Sequence, residues 1–136
     1  MIVQTEFLLS NFAKGFHLIT NEILQNLPKL PEIGLLNLFI KHTSAAISIN
    51  ENADYTVRVD MENFFNKLVP ENLPYFEHTS EGSDDMPAHI KASLIGQSVS
   101  IPISNNKLNL GTWQGIYLCE FRRHAGKRKI VVTVYS

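Results

Sequence analysis

The last forty residues constrain the fold most strongly, because apolar and polar side chains alternate there in consecutive short segments. Residues 98–103 alternate, and a Ser-Asn-Asn turn at 104–106 follows them. Further strand-like segments cover residues 107–121 and 128–135. Strands joined by such short connections pair with their neighbours in opposite directions. This part of the chain therefore predicts an antiparallel sheet.

Helical periodicity occurs earlier in the chain. Apolar spacing predicts a short helix that ends at Pro28 and a longer helix over residues 52–68. Pro87 suits the first turn of a third helix, which Gly96 would terminate. A length of 136 residues fits one hydrophobic core. We therefore expect one α+β domain over 1–136, an antiparallel sheet or sandwich with two or three short helices.

Residues 35–49 are rich in β-formers and predict one strand. Side chains alternate along a strand, so Leu38 and Ile40 share a face with His42 and Ser44. That face changes from apolar to polar at His42, as expected for a strand that runs from the core into a pocket. The alternative is a histidine whose ring is held by backbone partners.

Two more histidines flank an acidic segment. His78 lies in a polar loop at 69–85, and a loop of this length in a compact domain is more often functional than passive. His89 falls in the first turn of the third helix, where the helix dipole favours neutral imidazole. Asp85, four residues before His89, can cap the helix or reach His89, and both roles can hold together.

Two further residues have a functional and a structural interpretation. Asp60 falls on the flank of the apolar stripe of helix 52–68, where it either orients a histidine or lies exposed. Trp113 stands between Gly111 and Gly115, where it either anchors the core or lines a pocket or subunit interface.

The side chains predict a zinc-like divalent metal site as the leading chemistry. The imidazoles of His42, His78 and His89 would leave one coordination position open for water or substrate. Metal-free acid–base catalysis by His78 or His89, paired with Asp85 or Asp60, explains these residues nearly as well. The Gly-x-Ser-x-Gly and glycine-rich phosphate-loop motifs are absent, which disfavours a serine hydrolase and a nucleotide-binding enzyme.

Composition limits the partners. The net charge of −1 gives no general attraction to nucleic acid or to anionic membrane. The basic cluster over 122–129 predicts a solvated turn, with anion binding as the alternative. Cys119 is the only cysteine and predicts a buried, inert thiol in a reducing compartment. Without a signal-peptide pattern or an apolar run of about 20 residues, we expect a cytoplasmic protein.

Taken together, these residues resemble the YjbQ family, whose members are described as secondary thiamine-phosphate synthases. The resemblance covers nearly the whole chain, and its separate motifs occur in the family's order. They are HTSAA at 42–46, NENAD at 50–54, Asp60, His78, DDMPAH at 84–89, LGTWQG at 110–115, Glu120 and the final strand from Arg128.

The resemblance implies a homotrimer with a pocket lined by His42, His78 and His89. It also implies that further catalytic or substrate-binding residues lie close by, namely Asp60, Asp85, Trp113, Gln114 and Glu120. We further expect Ser44, Asn50 and Arg128, which belong to the same motifs, to bind substrate. A pocket at a subunit interface would explain why these polar groups are spread along the chain.

The family's activity joins hydroxymethylpyrimidine diphosphate to thiazole phosphate and releases diphosphate. Diphosphate departure needs Mg²⁺ on carboxylates, or arginine and lysine side chains, to neutralise its charge. The sequence displays no dedicated phosphate cradle, although the histidines, Asp85 and Arg128 offer partial neutralisation. We therefore expect that synthesis as a side activity, with another small, phosphorylated substrate as the primary one. The alternative is a non-catalytic trimeric module that binds a metal or small ligand.

Overall fold

Eight strands and three helices make up the chain, and the computed structural model describes all 136 residues. In chain order they are β1 (Ile2–Leu8), β2 (Gly15–Leu18), α1 (Thr20–Gln25), β3 (Ile33–Ile40), β4 (Ala45–Glu51), α2 (Tyr55–Leu68), α3 (Asp85–Ile95), β5 (Ser98–Ser104), β6 (Lys107–Leu108), β7 (Gln114–Glu120) and β8 (Lys129–Tyr135).

The strands form two antiparallel sheets. One has five strands in the order β1–β8–β3–β5–β6, and the other has three in the order β2–β7–β4. All strand pairs are antiparallel, as the alternation in the last forty residues predicts. The expected α+β domain with an antiparallel sandwich and three helices is confirmed.

The main core lies between the two sheets. On β3, Leu36, Leu38 and Ile40 are fully buried, whereas Leu35 and Phe39 on the other face are about 40% exposed. Ile47 of β4 meets this row from the opposite sheet. The core therefore follows from the two-residue side-chain period of strands.

A second core lies on the other face of the three-stranded sheet, where α2 and α3 cover it. Ala88 and Ala92 of α3 pack with Tyr117 and Cys119 of β7. The small side chains on α3 allow the helix to approach the sheet closely. This packing fixes the N-terminus of α3 at one end of the β4–β7 pair.

The prediction of one strand over residues 35–49 is wrong, because the segment forms two strands in different sheets. β3 ends at Ile40 in the five-stranded sheet, and β4 begins at Ala45 in the three-stranded sheet. Both halves are rich in β-formers, so the sequence shows no break. His42 and Ser44 thus lie in a connection between the sheets.

Helix α2 is present where predicted, but its apolar stripe is only partly covered. Asp54 caps its N-terminus by accepting a hydrogen bond from the Thr56 backbone N–H at 2.9 Å. Met61 and Phe65 pack against the second core, while Phe64 is 62% exposed. None of the three helices combines the length and the apolar character needed to span a membrane.

Candidate metal centre

His78, Asp85 and His89 meet at one end of the three-stranded sheet. Nε2 of His78 lies 2.6 Å from Oδ2 of Asp85, and Nε2 of His89 lies 3.0 Å from the same oxygen. The three potential ligand atoms lie within 4.8 Å of one another. Asp85 is 2% exposed, whereas both imidazoles keep an edge in solvent. The cluster is therefore accessible to an ion or a small molecule.

The two elements that carry the cluster explain its geometry. Asp85 and His89 are four residues apart in the first turn of α3, so they lie on the same helix face. His78 belongs to the loop between α2 and α3. The prediction that Asp85 reaches His89 is confirmed, and no side-chain cap is formed at this helix end.

The Thr43 backbone determines which nitrogen of His89 is available. Nδ1 of His89 lies 3.0 Å from the Thr43 carbonyl oxygen and donates a hydrogen bond to it. A neutral imidazole donates from one nitrogen only, so Nε2 then carries a lone pair. That lone pair faces the carboxylate of Asp85, and two such groups attract each other only with a cation between them. A proton or a metal ion fulfils that requirement.

Arg122 binds the carboxylates at the start of α3. Its Nη1 donates to Oδ1 of Asp85, and its Nε donates to Oδ2 of Asp84 at 3.1 Å. Burial alone would raise the pKa of Asp85, but the hydrogen bond with His78 and the positive charge of Arg122 outweigh it. The pKa of Asp85 therefore lies below its usual value, and the side chain is a carboxylate at neutral pH.

His42 lies outside this group. Its Nε2 accepts a hydrogen bond from the Lys129 backbone N–H at 2.8 Å, so this nitrogen is occupied. Burial, and next the charge of Arg128, lower the pKa of His42 below its usual value. His42 is thus a neutral ring with a backbone partner, which matches the structural interpretation of this residue. The structure pairs the other two imidazoles with Asp85 instead.

Ser44, Glu120 and Arg128 form a buried cluster beside the β3–β4 connection. Arg128 donates to both carboxylate oxygens of Glu120, at 2.7 and 2.5 Å, and to the Ser44 hydroxyl at 3.0 Å. Glu120 is fully buried and Arg128 is 5% exposed. The cluster fixes Ser44, the neighbour of Thr43. It therefore holds the carbonyl group that hydrogen-bonds to His89.

Asn50, Trp113 and Gln114 lie at the opposite end of the sheet. Ala45 pairs with Glu120 and Glu51 pairs with Gln114, so the two ends are six residue steps apart, about 20 Å. The Gln114 side chain accepts a hydrogen bond from the Gly111 N–H at 2.8 Å. Trp113 is 65% exposed, which excludes the interpretation as a core anchor.

Asp60 is exposed on α2 and hydrogen-bonds to none of the histidines. Its exposed flank position matches the structural alternative. Cys119 is buried, as predicted, and burial raises the pKa of its thiol far above its usual value.

Arg122 and Asp84 are the site residues that sequence reasoning missed. The interpretation of 122–129 as a solvated basic turn is wrong for Arg122 and Arg128, because both pair with buried carboxylates. A signal existed in the adjacent acids at 84–85. Two neighbouring carboxylates at a helix start require cationic partners once that helix start is buried.

A cavity of about 340 Å³ opens beside His78. The loop between α2 and α3 supplies most of its walls, with Asn72, Phe76 and Gly82 among them, and Met86 of α3 completes it. The volume is within the range of small-molecule pockets. The cluster therefore has adjacent space for a ligand.

Comparison with known proteins gives a consistent result across sequence and structure. The family described as UPF0047 protein YjbQ-like matches residues 5–136. The UPF0047 protein YjbQ of Salmonella typhimurium is 53% identical over 136 residues, which covers 98% of both chains. The UPF0047 protein YugU of Bacillus subtilis is 43% identical over 88 residues, 65% of this chain and 64% of the relative. A conserved hypothetical protein from Thermus thermophilus superimposes with a TM-score of 0.82 at 30% identity, covering 94% of this chain and 97% of that one.

Proposed function

Since this chain belongs to the UPF0047 YjbQ-like family, and the names of that family's members state no reaction, we propose a function from the side chains of this chain's own site. It is a small-molecule enzyme that binds a divalent metal ion, zinc by preference, at His78, Asp85 and His89. Two imidazoles and one carboxylate are a ligand set of catalytic zinc sites, with the fourth position left open. In such sites the ion acts as a Lewis acid and lowers the pKa of bound water.

One observation carries this proposal: Nε2 of His89 is aimed at Oδ2 of Asp85 while its Nδ1 faces the Thr43 carbonyl. A histidine ligand that donates its other ring proton to a backbone carbonyl is the usual arrangement around protein-bound metals. Here the backbone fixes the ring, and Arg122 binds the second oxygen of Asp85. Two of the three candidate ligands, His89 and Asp85, thus have a supporting contact that holds them in place.

The first test measures metal content after purification without added metal or an affinity tag. We expect near one zinc ion per chain, lost in His89→Ala because a ligand is removed. His124→Ala is the matched control, since His124 is exposed and makes no hydrogen bond. Protein without stoichiometric metal that also fails to take up zinc would contradict the proposal and leave metal-free acid–base catalysis by His78 and His89.

His42→Ala in the same experiment separates two ligand sets. Its Nε2 is occupied by the Lys129 N–H, so metal retention supports His78, Asp85 and His89. Metal loss supports the three-imidazole set predicted from the sequence.

A homotrimer and a phosphorylated substrate are part of the proposal. The separation of Asn50 and Trp113 from His89 supports a pocket that two copies complete, because one chain brings these groups to opposite ends of a sheet. Trp113 also exposes 65% of its surface, which an interface would cover. The single buried thiol of Cys119 is consistent with a reducing compartment such as the cytoplasm.

Thiamine-phosphate synthesis is proposed only as a side activity. With hydroxymethylpyrimidine diphosphate and thiazole phosphate, we expect kcat/KM below about 10⁴ M⁻¹s⁻¹, the lower end of ordinary enzymes. Steady-state kinetics of the purified protein test this, and a higher value would make the synthesis its primary reaction. Mg²⁺ belongs in that assay because diphosphate substrates commonly bind it.

A further inference from the structure

A cationic cavity lies next to the metal centre and has no part in it. Its volume is about 470 Å³, and Lys14, Lys91 and Arg123 contribute to its wall. The three side chains come from the β1–β2 connection, from α3 and from the β7–β8 connection. Because these residues are far apart in the chain, the sequence shows no phosphate-binding motif. The fold brings these three cationic side chains to one cavity.

Lys91 is the unusual member because it is buried without a counterion. It is 3% exposed, and the only hydrogen bond of its ammonium group is to Oδ1 of Asn66 at 2.8 Å. An ammonium group has three donors, so two of them remain free. Its ammonium group also lies 5.7 Å from the centroid of the Phe121 ring. A buried cation is costly unless an opposite charge compensates it.

The other charges around the cavity are already paired. Lys14 contacts Glu62 at 2.7 Å, and Arg123 contacts Glu71. Oδ1 of Asn66 also accepts from Lys14, at 2.8 Å, so it holds both ammonium groups close together. Lys91 is therefore the one cation of the cavity wall without an ion pair, and a second lysine lies beside it.

We propose that this cavity is a binding site for a phosphoryl-type oxyanion, with Lys91 and Lys14 as its principal ligands. The anion accepts the free donors of Lys91 and supplies the missing counter-charge. Arg123 at the rim contributes a third cationic group.

The ligand is a free phosphate ion or the phosphoryl end of a larger molecule. Asn72 lines both this cavity and the cavity beside His78, so one ligand can extend between them. Only this second possibility rests on the proposed function, because anion binding at Lys91 requires no metal.

The test titrates the full-length, EDTA-treated protein with inorganic phosphate in a calorimeter at constant ionic strength. We expect saturable binding that weakens about tenfold or more in Lys91→Met and in Lys14→Met, since each removes a charge-assisted hydrogen bond. Lys67→Met is the matched control, because Lys67 is an exposed lysine of α2 without an ion pair. It should leave the affinity unchanged.

Absence of saturable binding to the wild-type protein would overturn the proposal, as would undiminished binding in Lys14→Met. If Lys91→Met does not fold, Lys14→Met and Lys67→Met decide the matter alone. His78→Ala locates the anion: retained binding supports the lysine cavity, and lost binding assigns the anion to the histidine cluster and refutes the proposal. Failure of metal binding has no effect on this result.

Titration with phenyl phosphate distinguishes the two possible ligands, a free phosphate ion and the phosphoryl end of a larger molecule. Binding at least as tight as that of inorganic phosphate supports the phosphoryl end of a larger molecule. Exclusion of phenyl phosphate, with inorganic phosphate still bound, supports the free ion at the same site.

Discussion

Replacing Arg128 by methionine should lower the free energy of unfolding by about 3–5 kcal/mol. Arg128 is the side-chain partner of both carboxylate oxygens of Glu120, and Glu120 is fully buried in β7. Removing the guanidinium leaves a carboxylate in the interior with one backbone donor, the Arg122 N–H at 3.2 Å. The cost arises mainly from this uncompensated charge and only secondarily from the lost contacts.

Urea denaturation of the wild-type protein and of Arg128→Met measures this difference, and the melting temperature should fall by about 10 °C or more. Lys127→Met is the control, because Lys127 is the adjacent, exposed cation and has no ion pair. The double variant Glu120→Leu with Arg128→Met should recover much of the loss, since it removes both charges. A loss below about 1 kcal/mol, the range of a surface ion pair, would refute this account.

The same substitution should also affect the candidate metal centre. Arg128 also donates to the Ser44 hydroxyl, and Ser44 follows the residue whose carbonyl accepts from His89. The buried ion pair thus connects β8 to the orientation of a candidate metal ligand. We regard Arg128 as a positioning residue, because it contacts the β3–β4 connection and not the ligand atoms.

Local patterns were sufficient to predict the three helices, the strands of the last forty residues and part of the site. The alternation in residues 98–135 gives the antiparallel strands, because side chains of a strand have a period of two. The four-residue spacing of Asp85 and His89 predicts their contact, because helix geometry places such residues on one face. His78 follows from its place in the loop that leads directly into that helix.

Contacts between residues that are distant in the chain could not be predicted from the sequence. The break between β3 and β4 leaves no mark in composition, so His42 is predicted in a strand and found in a connection between sheets. Arg122 pairs with acids 37 and 38 positions away. The register of β4 on β7, which separates Asn50 from the histidines, is likewise a tertiary property. Only the packing of the two sheets determines these relations.

The substitution Asp85→Asn should weaken zinc binding by about hundredfold or more, because it removes a direct ligand, and loss of a mere supporting residue costs about 10–100-fold. Asparagine keeps the shape of the side chain and can still contact His78 and Arg122, so the fold should persist. Its neutral amide, however, no longer supplies the negative charge on which the two Nε2 atoms converge. Competition with a zinc chelator of known affinity measures the change.

Asp84→Asn is the matched control, since it removes another buried carboxylate from the same helix start. Asp84 binds Arg122 and the Arg123 backbone N–H at 2.9 Å, but it contacts neither histidine. It should therefore destabilise the protein and leave the zinc affinity within a few-fold of wild type. Equal effects of the two variants on zinc affinity would identify the cluster as a structural polar network. A selective effect of Asp85→Asn requires that its Oδ2, and not the acidic helix start in general, holds the ion.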